Sequence, residues 1–272
     1  MEVLKYLLRK LKKTGFRIMK IIAVIPARMG STRFPGKPMA PILGRPMIEH
    51  VYRRTALCQA LSDVFVATCD QEIMDAVETF GGKAILTSSE HQRASDRVAE
   101  AASDLAADVV VMVQGDEPMV YPEMINESVA PFFNEDASIA CVNLMTRIRT
   151  KAEFEDPNTI KVVMDAERFA LYMSREPVPT LHLKDFDHLP AYKQVCIIPF
   201  TATGLQVFSQ LSPTPLEEAE SIDMLRFMEH GHRVKMVETS FSTHAVDTPA
   251  DLELVEKLLR EDALVDRYIS KS

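Results

Sequence analysis

The chain of 272 residues lacks the marks of several protein classes. Its four cysteines, Cys58, Cys69, Cys141 and Cys196, form no C-x-x-C pair. They read as reduced thiols of a cytoplasmic protein, not as a zinc or disulfide framework. Glycine and proline together number 25 and apolar content is 47%, which excludes fibrous and disordered chains. No run of 18 apolar residues occurs, so no spanning helix is expected. Basic residues are in deficit, 31 Lys and Arg against 39 Asp and Glu, for a net charge of −8. Phosphate backbones select Lys/Arg surfaces, so nucleic acid is not the default partner. The deficit is uneven: residues 1–20 hold a balance of +6, leaving −14 for the rest. Leu4, Leu7, Leu8 and Leu11 recur at helical spacing there, but Lys5, Arg9, Lys10, Lys12 and Lys13 interrupt any signal-peptide core. A basic helix on a membrane surface, a frayed extension over residues 1–19, and an upstream start before Met19 all remain open.

What is present is an alternation of apolar runs and helical stretches. Ile21–Ile25 reads as a strand buried on both faces, Val64–Thr68 and Lys83–Leu86 as further strands, and Val109–Gln114 as the clearest buried strand. Met47–Leu57, a segment through Ile73, Met74 and Val77, and Ala94–Ala107 read as helices, the second ended by Gly81–Gly82. This is the pattern of βαβ units on a largely parallel sheet. Beyond it, Ser138–Leu144, Ile160–Met164, Ala170–Ser174 and Val195–Phe200 read as strands. Val178–Tyr192 reads as a loop, and Glu217–Glu229 and Pro249–Leu259 as helices. No linker or repeat divides the chain. The expectation is one α/β domain over 20–262, with a lobe inserted after about residue 140 and a tail over 263–272.

Four segments carry chemistry. Ile25–Lys37 leaves the first buried strand, where ligands of open α/β sheets sit. Gly30 permits a tight turn, Ser31 and Thr32 offer donors, and Arg28, Arg33 and Lys37 add three cations, a set suited to a polyphosphate. It is neither a Walker A loop nor G-x-G-x-x-G. Val113–Pro118 ends the most apolar strand with Gln114 and Asp116, and a carboxylate there suits Mg²⁺. In Val246–Asp251, Thr248 caps a helix with Pro249 and Asp251 behind it, which leaves Asp247 free for a ligand. Ser95, Asp96 and Arg97 open a helix, where Ser95 serves a cap or a nucleotide.

Together these segments resemble the CMP-Kdo synthetases, the 3-deoxy-manno-octulosonate cytidylyltransferases. The likeness runs through IPARMGSTRFPGKPM, VFVATCDQEI, HQRASDRVAEA, VQGDEPM, NTIKVVMDAERFALYMSRE, LSPTPLEEAES and VDTPADLE, over roughly residues 20–258. It implies an α/β nucleotidyltransferase fold of the Rossmann-like three-layer kind, with a mixed, mainly parallel sheet. It implies a homodimer joined through the inserted lobe, CTP and an acidic sugar as substrates, and Mg²⁺. Carried over by that resemblance, Arg28, Gly30, Ser31, Thr32, Arg33 and Lys37 hold the triphosphate, and Thr68, Ser95 and Gln114 line the nucleotide site. Asp116 and Asp247 hold the metal. Arg175, Gln194, Glu220 and Asp223 meet the sugar. The catalytic set is Lys37, Arg33, Asp116 and Asp247.

The sequence departs from the family mainly in the sugar pocket. A family H-x-G-x-Y is Gln194-Val195-Cys196-Ile197-Ile198 here, and a family E-Q is Asp223-Met224. A family S-G-T is Arg93-Ala94-Ser95, and a family aspartate is Cys69. Each buried hydrogen-bonding partner removed costs about 1–3 kcal/mol for an unchanged ligand. The expectation is therefore transfer of CMP from CTP to Kdo or a related 3-deoxy-2-ulosonate. The alternatives are another acidic sugar or nucleotide, and a nucleotide-binding relative without turnover.

Overall fold

The computed structural model describes residues 19–30, 33–134, 139–180, 186 and 190–269. The basic extension, Ser31, Thr32 and most of 181–189 lie outside the described residues.

Strand β1 (Ile21–Pro26) is the centre of the first half, and all six of its residues are buried. Two short strands, β2 (Pro41–Ile42) and β3 (Arg45–Pro46), precede helix α1 (Met47–Ala56). Then follow β4 (Asp63–Thr68), α2 (Gln71–Thr79), β5 (Ala84–Leu86), α3 (Ala94–Ala102) and β6 (Val109–Val113). β1 pairs in parallel with β4 and with β6, and β4 in parallel with β5. Strands of this kind need cover on both faces. One apolar cluster lies around Val24, Val98 and Met112, and the other around Ile25, Ile48 and Val111. Successive β residues point to opposite faces, so neighbours in one strand feed different cores.

The second half adds α4 (Pro122–Val129), α5 (Pro131–Asn134), β7 (Cys141–Arg147), α6 (Lys151–Glu155), β8 (Lys161–Met164) and β9 (Ala170–Ser174). It continues with β10 (Tyr192–Val195), β11 (Ile197–Thr201), α7 (Ala202–Gln210), α8 (Pro215–Glu220), α9 (Asp223–Glu229), β12 (Val234–Glu238) and α10 (Pro249–Arg260). The sheet order is β5-β4-β1-β6-β11-β7-β10-β8-β9, with β12 beside β7. The sheet is mixed: β11 runs antiparallel between β6 and β7, and β12 runs parallel to β7.

The structure differs from the expected elements at informative places. The strand expected at Ser138–Leu144 begins at Cys141 and runs on to Arg147. The run Val195–Phe200 is broken at Cys196. Val195 faces Leu144 of β7 while Phe200 faces Cys141, so the chain gains extra residues there, a bulge. The helix expected over Glu217–Glu229 is two helices. Ser221 sits at φ 54 between them, which breaks the α-helical path. The helix expected to reach Ala107 stops at Ala102. Residues beyond 262 join the packed body, for Tyr268 is 9% exposed and its hydroxyl meets His50 Nδ1 at 2.9 Å.

Candidate active site

The first loop leaves β1 at Pro26 and is pinned at three points. Ala27 N donates to Ala67 O at 2.9 Å, Gly36 N to Met29 O at 3.1 Å, and Met29 N to Asp70 Oδ2 at 2.7 Å. Gly36 has φ 71, a conformation that favours glycine, and it delivers Lys37 into a short 3-10 turn, Lys37–Met39. From β6 the chain passes through Gly115 against the end of β1. A Cβ on Gly115 would stand 2.6 Å from Pro26 O, so only glycine fits. Val246 N donates to Asp116 O at 2.9 Å, which draws the third loop onto the second. Thr248 and Asp251 form the reciprocal cap of α10, and Asp247 lies just outside it.

These three loops produce an ionic cluster. Lys37 Nζ donates to Asp116 Oδ2 at 2.8 Å and to Asp247 Oδ1 at 3.3 Å. The two acceptor oxygens therefore lie within about 6 Å of each other. Arg33 donates to the same Asp247 Oδ1 at 3.0 Å and to Asn158 Oδ1 at 3.2 Å. Burial opposes the charge on Lys37, but Asp116 and then Asp247 outweigh it and hold its pKa above the ordinary value. Next in sequence, Glu117 is 7% exposed. Burial and then the charge of Asp116 push its carboxyl up to about 7, against weaker opposition from Thr243 and Lys193.

The cluster forms one wall of a cavity of about 320 Å³. Arg28, Gly30, Arg33, Lys37, Gln114, Asp116 and Asp247 line it. The lining continues with His91, Gln92, Arg93, Ala94 and Arg97, around the start of α3. Sequence reasoning singled out Ser95, Asp96 and Arg97 in this segment; Arg97 lines the cavity and Ser95 does not. The available signal was Arg93 itself, a cation directly before a helix start where the family has a small residue. Its guanidinium donates to Ser221 Oγ at 2.7 Å, while Arg97 donates to Thr87 Oγ1 at 2.5 Å.

The remaining expected residues are placed differently. Thr68 is fully buried, and its hydroxyl accepts from Asp70 N at 3.1 Å, two residues before the bond that pins Met29. Ser95 is also fully buried, and it donates from Oγ (2.8 Å) and N (3.2 Å) to Asp223 Oδ2. Ser95 and Asp223 thus satisfy each other and do not line the cavity. Burial raises the pKa of Asp223, and the two Ser95 donors and Arg93 pull it back. Glu220 accepts from Ser174 Oγ at 2.7 Å, Tyr172 OH at 3.2 Å and Arg175 N at 2.8 Å. Arg175 in turn donates to the backbone oxygens of Glu220 (2.6 Å) and Pro157 (3.1 Å). Gln194 Nε2 donates to Asn143 Oδ1 at 2.6 Å. Among the described residues none of these four sugar candidates borders the cavity.

A family model described as "Cytidylyltransferase" matches residues 22–238. A 3-deoxy-manno-octulosonate cytidylyltransferase of Geobacter metallireducens is 47% identical over 252 residues, covering 89% of this chain and 99% of that protein. An 8-amino-3,8-dideoxy-manno-octulosonate cytidylyltransferase of Shewanella piezotolerans is 40% identical, covering 90% of this chain and 100% of that protein. Among solved structures, a CMP:2-keto-3-deoxy-manno-octonic acid synthetase complexed with CTP superposes with a TM-score of 0.82 at 38% identity, over 89% of this chain and 99% of that one. Three loops from distant parts of the sequence converge on one cavity, and both likenesses run through almost the whole domain: the chain belongs to the cytidylyltransferase family.

Proposed function

We propose that this protein transfers CMP from CTP to the anomeric hydroxyl of a Kdo-type 3-deoxy-2-ulosonic acid and releases pyrophosphate. The observation that carries the reading is the convergence of Lys37, Asp116 and Asp247 on one cavity, with Arg28 and Arg33 beside them. The sugar hydroxyl attacks the α-phosphorus, the bond to the bridging oxygen breaks, and the hydroxyl proton leaves to solvent. Reactions of this type depend on positioning and charge neutralisation. Arg28, Arg33 and Lys37 are the groups that would hold the triphosphate and stabilise charge on the departing pyrophosphate. Backbone groups of the pinned loop from Pro26 to Gly36 would fix the phosphates against them.

The donor set fits Mg²⁺. Asp116 and Asp247 already share one cation, Lys37, which supports a common role for their carboxylates in holding a metal. Among the described residues no cluster of three or more His, Cys, Asp or Glu offers a metal site. Two carboxylates suit an ion that completes its shell with phosphate oxygens and water. When bound, that ion would offset phosphate charge and lower the pKa of the attacking hydroxyl.

A second reading concerns the acceptor. Two positions that are polar in the resembling family are core here: Ile198 is 3% exposed and Met224 fully buried. That supports an acceptor whose tail differs from that of Kdo, and the amino sugar of the Shewanella relative is one to try. We also place the protein in the cytoplasm as a homodimer. All four thiols are free, and the edge strand β9 leaves Leu171 63% exposed. The test is CTP-dependent pyrophosphate release with Kdo, with its 8-amino analogue and with no sugar. The reading expects release with an acidic ulosonate and its loss in Asp116→Asn. Release equal with and without sugar would refute it.

A further inference from the structure

Lys37 does not wait in solvent for a phosphate. Its side chain is 14% exposed, and its ammonium already bonds to both carboxylates. Arg33 adds a second cation on Asp247 Oδ1. Two carboxylates and two cations make a site that is electrically neutral by itself. We infer that Lys37 and Arg33 are internal counter-ions of the metal-binding carboxylates, so that a divalent cation enters together with the nucleotide and not ahead of it. This rests on the reading that Asp116 and Asp247 hold the metal.

The geometry makes the two cations compete. A metal about 2.1 Å from a carboxylate oxygen would share that oxygen with an ammonium 2.8 Å or 3.3 Å away. The two centres would then be at most about 5 Å apart, where a doubly charged ion and an ammonium repel strongly. Partial burial of Lys37 limits the screening that would soften this in open water. A triphosphate removes the conflict. Its oxygens are better partners for a guanidinium and an ammonium than a shared carboxylate is. They draw Arg33 and Lys37 away and leave Asp116 and Asp247 as uncompensated anions. Lys37 therefore has two stations, carboxylate-bound at rest and phosphate-bound when loaded. By reciprocity, metal and nucleotide each tighten the binding of the other.

The test is Mn²⁺ binding to the full chain, read from the free-ion electron paramagnetic resonance signal, with no acceptor sugar present. In wild type without nucleotide the binding is expected to be weak, and CTP should tighten it about 10-fold or more, within the usual range of site coupling. Lys37→Met should tighten nucleotide-free Mn²⁺ binding about 10-fold or more by removing the competing charge. Lys37→Arg should stay weak. Lys37→Gln is the second neutral variant should Lys37→Met fold poorly. Asp116→Asn in each background assigns the signal to this site. Neutral variants that bind no tighter than wild type, while CTP-loaded wild type binds through Asp116, would overturn the inference and leave the metal reading standing. A CTP-loaded signal indifferent to Asp116→Asn would overturn both.

Discussion

Asp223 separates two accounts of the second half of the site. By resemblance it meets the sugar. In the structure it ties the start of α3 to the start of α9, because its Oδ2 takes both the amide and the hydroxyl of Ser95. Ser95 is fully buried. Asp223→Ala would strand two donors that water cannot reach, at about 1–3 kcal/mol for each group left unpaired. Part of the hydroxyl cost is recovered by rotation, so the net loss should be about 2–4 kcal/mol. For a domain of this size each kcal/mol moves the melting temperature by roughly 2–4 °C. The expected fall is therefore about 5–15 °C, by calorimetry without ligand.

A double-mutant cycle sharpens the test. If Asp223 acts through Ser95, Ser95→Ala and Asp223→Ala should be strongly sub-additive, with a coupling of about 1–2 kcal/mol. Asp223→Asn keeps an acceptor and should lose much less. A sugar ligand would behave differently: the melt would stay near wild type and KM for the sugar alone would rise. Wild-type melting of Asp223→Ala would refute the capping account.

Other expectations follow from the same geometry. Glu117 ionises at about 7 in the folded protein against an ordinary value of 4.5, so between those pH values the folded state holds a proton that the unfolded state has lost. Its contribution is complete below pH 4.5 and is lost as pH rises towards 7, an effect of about 3 kcal/mol. Glu117→Gln should flatten that part of a plot of melting temperature against pH, and an unchanged slope would contradict it. Arg226 is bonded to Asp96 at 2.7 Å and to Glu217, whose side chain is 1% exposed. Arg226→Met should cost about 3–5 kcal/mol in a urea titration, because it leaves a buried carboxylate without its partner. Lys37→Met should raise the barrier to CMP transfer by about 2–4 kcal/mol, read as kcat in a pyrophosphate-release assay, and a wild-type rate would remove Lys37 from the chemistry.

The parallel half of the fold was legible because its strands are continuous apolar runs. β1, β4 and β6 start and stop within a residue of the expected places, since β1 and β6 are buried throughout, β4 over most of its length, and polar residues flank the runs. The second half was legible only in part: β8 and β9 fall within a residue of the expected Ile160–Met164 and Ala170–Ser174, but β12 and α7 were not foreseen. β12 has an alternating burial pattern in only five residues, and its place beside β7 is set by tertiary pairing that no local period announces. α7 begins after Thr201, whose hydroxyl caps Gly204 N at 2.9 Å, yet its apolar content blends with the preceding strand. The break at Ser221 is the clearest case. Helical spacing continues across Glu217–Glu229, but Glu220 must turn to Ser174 and Asp223 to Ser95, and one helix cannot aim both.

The site divides along the same line. Its phosphate end follows from backbone rules that a sequence displays: a glycine that must adopt positive φ at Gly36, a glycine that must let two strands approach at Gly115, and a threonine cap that leaves Asp247 outside it. Each rule concerns neighbours in the chain or the end of one strand. The residues expected away from the phosphates have side-chain partners far off in the chain, such as Ser95 with Asp223 and Gln194 with Asn143. A polar residue in such a place reads the same in sequence whether it faces a ligand or another residue. Only the partner decides, and here the partners are protein atoms. Arg93 carries the converse lesson. As a cation beside a helix start it looks like a surface group, yet it borders the cavity and is anchored to Ser221 across the break between α8 and α9. The helix break, the Arg93 anchor and the Ser95–Asp223 pair are thus one device. It holds the α3 side of the cavity in place, so substitutions in it should act on nucleotide binding through the position of that segment and not through direct contact.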